Sequence, residues 1–301
     1  MRISRTVRRV ANPTDADANM PAPAPFAPGF HIEGAKRQIL GAIRARNVTD
    51  RKISVMWVVV PLLVGLVGSI IGMALVFMGI LNSYDELMYG LLPVTFWDDI
   101  FLGFTIIMIT EIVMLVIFGV LTHMLVERQN EHFQREAQLR MGVLSYLRAS
   151  AGSPEREAAM AVEIATINSL HVQAMQEEQP HSAIGWALFM VLGFWIPLVN
   201  IVLLLYLFNF LMENIRAHDM RWNMFWQQTG SAMMKLGHNT DPRGWYAIVL
   251  PHRSFALYLV LSFITAGLFV FYWWYILIRD PNSHFDAQSY SEDMLVNIIS
   301  H

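Results

Sequence analysis

The chain has no cysteine, and only 15% of its 301 residues are charged. The missing thiols exclude a disulfide-stapled fold and any cysteine-ligated zinc or iron–sulfur centre. Soluble domains carry nearer a quarter of charged residues, so the scarcity of charge excludes an ordinary soluble enzyme. A net charge of −3 gives no electrostatic footprint for nucleic acid. No Gly-rich phosphate loop, zinc-protease helix or serine–histidine–aspartate arrangement is legible, so no catalytic residue and no cofactor are assigned.

What is abundant is apolar sequence, 55% of the chain. A bilayer core of about 30 Å needs roughly 20 apolar residues in a helix. Four segments meet this: Ile53 to Leu81, Ile100 to Val126, Ser182 to Met212 and Ser254 to Ile278. They predict an all-α integral membrane protein with a bundle of four transmembrane helices. The third is either kinked or re-entrant at Pro197, where Asn200 could satisfy freed backbone groups. Amphipathic rings favour the headgroup level, so Trp57, Trp97, Trp186, Trp273 and Trp274 read as interfacial anchors.

Residues 1–52 hold ten Lys and Arg, and loop 82–99 holds none. The positive-inside rule puts the N-terminus in the cytoplasm. The expected location is the cell membrane, with an organellar inner membrane as the alternative. Four full spans would place loop 213–253 outside, although it carries Arg216, Arg221, Lys235, Arg243 and Arg253. A re-entrant third segment removes that conflict. Four spans are still preferred here, because Pro is common as a kink in membrane helices.

Outside the spans, residues 1–33 read as a disordered, basic, Pro/Ala-rich tail, and 34–52 as a basic amphipathic helix lying on headgroups. Residues 53–126 form a hairpin of the first two spans. Residues 127–181 show apolar heptad spacing through Phe133, Leu144, Leu147, Met160, Ile164 and Ile167, broken at Gly152-Ser153-Pro154. They predict a cytoplasmic antiparallel helical hairpin, with Ser153 as N-cap and Pro154 as first helical residue. Its short seam offers protein partners, or a second copy of the chain, a surface over residues 127–179. In loop 213–253, Trp222 and Trp226 suit a helix in the interface plane. Residues 280–301 form a tail.

An echo follows three segments: Asn130-Glu-His132, Arg216-Ala-His218 and Asn282-Ser-His284. Such histidines could be metal ligands, but three separate single ones read as interfacial polar anchors, and no metal site is assigned. Gly65, Gly68, Gly72 and Gly79 share one face of the first span and permit close helix packing. Glu111 is the only charge deep in a span, at about 2.5–3.5 kcal/mol on insertion scales. With Asn200 and Thr265 it forms the candidate intramembrane polar site; Thr110 and Ser262 are further candidate partners.

Thr265-Ala-Gly267-Leu-Phe269-Val-Phe271-Tyr272-Trp273, preceded by Arg253, resembles the helix of the prokaryotic membrane family called domain of unknown function 4234. The resemblance covers about the last 50 residues and implies a small multi-pass membrane protein without an established activity. Phe269 and Val270 depart from the family's usual Tyr and Gly. The expected function is a non-enzymatic scaffold or accessory subunit in the bilayer; the alternative is a small ion- or proton-coupled transporter using Glu111.

Overall fold

The computed structural model describes residues 28–84, 88–90, 94–241, 244–245 and 250–300. The expected disordered tail lies outside these up to residue 27. The elements are α1 (Pro28–Thr49), α2 (Met56–Asn82), α3 (Val94–Ala151), α4 (Pro154–Ala159), α5 (Ala161–Glu177), α6 (Ala183–Leu192), a 3-10 turn (Gly193–Trp195), α7 (Pro197–Lys235), α8 (Phe255–Ile264) and α9 (Leu268–Ser300). Three helices are long and apolar enough to cross a membrane: Met56–Asn82, Phe96–Ala151 and Leu198–Lys235.

Helix α2 packs on α3 through its glycine face. A Cβ at Gly65 would strike Met114, one at Gly68 would strike Thr110, and one at Gly79 would meet Asp99. Gly72 and Gly103 let the backbones touch, since a Cβ on Gly103 would sit 2.6 Å from the Gly72 carbonyl. The glycine stripe is thus used within the chain.

The third and fourth apolar segments are not straight, so among the described residues three helices, and not the expected four, are long and apolar enough to cross a membrane. In one continuous helix Trp186 and Tyr206 would lie about 30 Å apart; instead their rings stack at 5.7 Å. Asn200 lies against Gly193, on the other side of the turn that Pro197 ends. The fourth segment folds back likewise. Arg253 holds Asp280 through two bonds of 2.7 and 2.8 Å, and Tyr258 meets Trp273 at 5.4 Å. Pro197 breaks the first helix because it lacks an N–H, and leads the next because its fixed φ suits a first helical turn.

The second reversal lies at Thr265-Ala266-Gly267. The Gly267 N–H donates to the Ser262 carbonyl at 2.8 Å and the Ala266 N–H to that of Phe263 at 3.1 Å, the bond pair of a Schellman helix end. Thr265 Oγ1 then accepts from the Phe269 N–H at 2.9 Å and starts α9. Ala266 has a φ of 49°, where a Cβ is unfavourable. Ala266→Gly is therefore expected to raise stability by about 1 kcal/mol, read as a later thermal midpoint in detergent.

Helix α3 runs on from its apolar part to Ala151. The chain reverses at Gly152, Ser153 accepts from the Arg156 N–H, and Pro154 opens α4. The apolar seam of α3 and α5 does not stand alone. Ile39 and Ile43 of α1, Trp222 and Trp226 of α7, and Leu295 and Ile299 of α9 share one core with Leu139, Val143, Leu147 and Ile167. Two expectations change accordingly. Helix α1 starts at Pro28, before residue 34, and buries its apolar stripe in protein. Trp222 and Trp226 are buried core side chains on α7, not anchors in the interface plane, because they belong to the core that α7 shares with α5 and α9.

A second core gathers Phe118, Leu121, Leu125, Leu207, Phe208, Leu211, Tyr258, Trp273, Trp274 and Leu277. Trp273 and Trp274 are thus buried as well, each packed against Phe208. Trp57 and Trp186 are half-buried, and Trp97 is exposed.

Candidate metal centre

Helices α3, α7 and α9 share one pattern: an apolar stretch, then a charged continuation. Each carries a histidine just past its apolar stretch, at His132, His218 and His284. Tyr206 and Tyr272 each precede their histidine by twelve residues, so the two folded-back units present it in one register. All three imidazoles are fully buried. Their ring centroids lie 5.0, 5.1 and 5.5 Å apart, with the rings nearly perpendicular. One ligand atom from each falls within 4.8 Å of the others. The reading as separate interfacial anchors is replaced, because the fold-backs bring the middle of α7 and of α9 beside α3.

Every ring leans on a carboxylate. His132 Nδ1 contacts Asp50 at 3.0 Å, His218 Nδ1 contacts Glu178 at 2.8 Å, and His284 Nδ1 contacts Asp219 at 2.8 Å. A carboxylate only accepts, so each Nδ1 carries the proton and each neutral ring turns a lone pair on Nε2 elsewhere. For His132 and His218 that direction is each other, with Nε2 to Nε2 at 3.2 Å. Two lone pairs at that distance repel unless a cation lies between them. Two nitrogens on a tetrahedral zinc ion, each at 2.0–2.1 Å, are separated by about 3.3 Å.

Electrostatics keep the His132 and His218 rings neutral. Both histidines lie on the charged continuations of their helices. Burial lowers His132 to about 4 against the pull of Asp50, and His218 to about 3 against that of Glu178. Burial pushes the Asp50 and Glu178 carboxyls up, but their cationic and histidine neighbours outweigh it and hold both well below the usual range. Those carboxylates are themselves fixed. Asp50 accepts from Arg135 at 2.8 Å and from Thr49 at 2.8 Å. Glu178 accepts from Arg221 at 2.8 Å and Arg140 at 3.0 Å. Asp219 accepts from the Leu250 N–H at 3.1 Å. Such carboxylate–histidine pairs set the tautomer and raise ligand basicity in metal sites.

The surroundings are tight and mostly apolar. Phe285 packs on His132 at 4.6 Å, Phe133 on His218 at 4.8 Å, and Trp222 stacks on His218. Beside His132 lies a cavity of about 10 Å³ bounded by Arg128, Gln129 and Phe285, room for about one water. Arg128 donates to Asn282 at 2.7 Å, and Asn282 in turn bonds the Ile53 backbone. The echo residues thus also do structural work: Asn130 holds the His181 backbone in both directions, at 2.7 and 3.0 Å.

The polar site read from sequence is not assembled. Glu111 lines a cleft of about 180 Å³ with Met114, Leu115, Phe118, Met190, Leu204, Val270, Phe271 and Trp274. Asn200 and Thr265 are not among these; they belong to the turns of the third and fourth segments. The hydroxyls of Thr110, Ser262 and Thr265 donate to carbonyls of their own helices. The echo pointed to the histidines, and the adjacent His218-Asp219 pair was a further signal. Asp50 and Glu178 carried none, since each lies at a helix end far away in sequence.

No curated protein and no solved structure matches the chain. Residues 253–299, which span the Arg253–Asp280 pair, the Thr265–Gly267 turn and His284, match the model of the family described as domain of unknown function (DUF4234).

Proposed function

We propose that the chain is a non-enzymatic membrane scaffold whose helices are tied together by a divalent transition metal, zinc in the first instance, on His132, His218 and His284. The observation that carries this reading is the convergence of three buried imidazoles, each with Nδ1 on its own carboxylate. Neutral imidazole suits zinc and its neighbours in the first transition row. Three protein ligands leave a fourth tetrahedral position, but the burial of all three imidazoles gives it room for a water and not for a substrate, which favours a structural ion. The small cavity beside His132 supports that assignment.

In this reading α2 and α3 cross the bilayer, and the third and fourth segments dip in and return as re-entrant hairpins. Loop 213–253 then shares the cytoplasmic side with residues 1–52, in keeping with its five Lys and Arg. The metal sits at the cytoplasmic mouth of the bundle, in the cell membrane of a prokaryote. Full-length protein purified in mild detergent is expected to hold about one zinc per chain by elemental analysis, and the His218→Ala variant almost none. Wild-type protein without metal after growth in zinc would overturn the assignment.

A second reading, ion or proton coupling through Glu111, is favoured by the cleft around that residue, whose other walls are apolar apart from the Trp274 indole. It expects proton-driven flux in reconstituted vesicles that Glu111→Gln abolishes at normal expression. Flux unchanged in that variant would sink it.

A further inference from the structure

We propose that the protein is a one-sided membrane wedge, which concentrates on bilayers curved convexly toward the side of the histidine cluster. This rests on the re-entrant reading above.

Helices α6 and α8 have ten residues each, about 15 Å of rise, half of a bilayer core of about 30 Å. Their return strokes, from Leu198 to Met212 and from Leu268 to Ile278, rise about 22 and about 16 Å, also short of a full crossing. The turns therefore stop near the middle of the bilayer. A landmark on α3 agrees with this depth: Met190, Leu204, Val270 and Phe271 meet α3 at Glu111 to Phe118. Beyond that level α2 and α3 pack on each other, through Gly72 on Gly103 and Gly79 on Asp99. Their outer faces are bare there: Phe101, Phe104 and Ile109 are exposed. Among the described residues, the cytoplasmic half of the membrane thus accommodates α2, α3, α6, α7, α8 and α9, and the opposite half only α2 and α3.

The turns are apolar and uncovered by protein. Phe263 is 88% exposed and Leu198 75%, with Trp195, Ile264 and Leu268 beside them. Acyl chains are the partner that such tips need. Helices about 10 Å across make the excess of four a difference on the order of 300–400 Å² between the two leaflets. Expanding one leaflet bends the bilayer toward it.

The test is sorting by curvature. Fluorescent full-length protein is reconstituted into giant vesicles of phosphatidylcholine and phosphatidylglycerol, and nanotubes are drawn outward from them. With the histidine side facing out, protein density on the tube should exceed that on the parent vesicle severalfold and rise as the tube narrows. With the opposite orientation it should fall below the vesicle's. Equal densities in both orientations would overturn the wedge, as would a second copy shielding the outer halves of α2 and α3. Because the chain lacks cysteine, single-site variants report topology in the same vesicles. Asn47→Cys and Gln227→Cys should react with an impermeant maleimide from one side, and Tyr89→Cys from the other. Opposite labelling of Asn47→Cys and Gln227→Cys would remove the re-entrant reading and the wedge together. Expected labelling without sorting would remove the wedge alone.

Discussion

Asp219→Asn is expected to weaken zinc binding by about 10–100-fold while the chain still folds, as for other carboxylates behind a ligating imidazole. The Asp219 carboxylate accepts a hydrogen bond from His284 Nδ1 on one oxygen and from the Leu250 N–H on the other. Asparagine keeps an acceptor but loses the charge that makes the imidazole a stronger donor. The measurement is competition against a chromophoric chelator in detergent, with thermal unfolding alongside. Metal at about 1,000 times its dissociation constant adds about 4 kcal/mol by mass action, so chelation should lower the wild-type midpoint by on the order of 10 °C. The chelated variant should then melt with the chelated wild type. An Asp219→Asn titration that overlays the wild type would show that the histidines bind no ion in this way.

Arg135→Met is expected to be the more damaging change to the fold itself. The Arg135 side chain is 1% exposed and serves Asp50, Glu136 and Glu292 together. Breaking one side of a buried ion pair costs about 3–5 kcal/mol, since the other side is left charged without water. Here three carboxylates lose one guanidinium. Burial already pushes the Glu136 and Glu292 carboxyls up, with Arg135 the main force pulling them back. Asp50 would also lose the arginine that aims it at His132. The midpoint should fall by about 10 °C or more, and Glu136→Gln in the same chain should recover part of the loss. A single variant that melts like the wild type would contradict the burial of this network.

Membrane class, segment limits and the Ser153-Pro154 helix start could be read from single residues or from local periodicity. The reversals were harder. Pro197 is visible, yet a proline inside an apolar run is also an ordinary kink. At Thr265-Ala266-Gly267 the left-handed position that ends α8 is filled by Ala266, so the usual glycine signal is displaced by one residue. The unequal charge of loop 213–253 was the better clue, because it depends on which side a loop occupies and not on local conformation. Trp222 and Trp226 misled for a related reason: an apolar stripe has the same spacing whether lipid or α5 and α9 cover it. The histidines were legible as an echo, but their convergence depends on two fold-backs, and Asp50 and Glu178 reach them only through tertiary packing.

The order of the ligands along the chain has a consequence for biogenesis. His132 is made first, His218 after the third apolar segment, and His284 only once the last hairpin has entered the bilayer. Until then the site has two imidazoles and no Asp219–His284 pair, so it holds an ion weakly. In the proposed reading, metal capture therefore waits until the last hairpin has folded back and His284 joins the other two imidazoles.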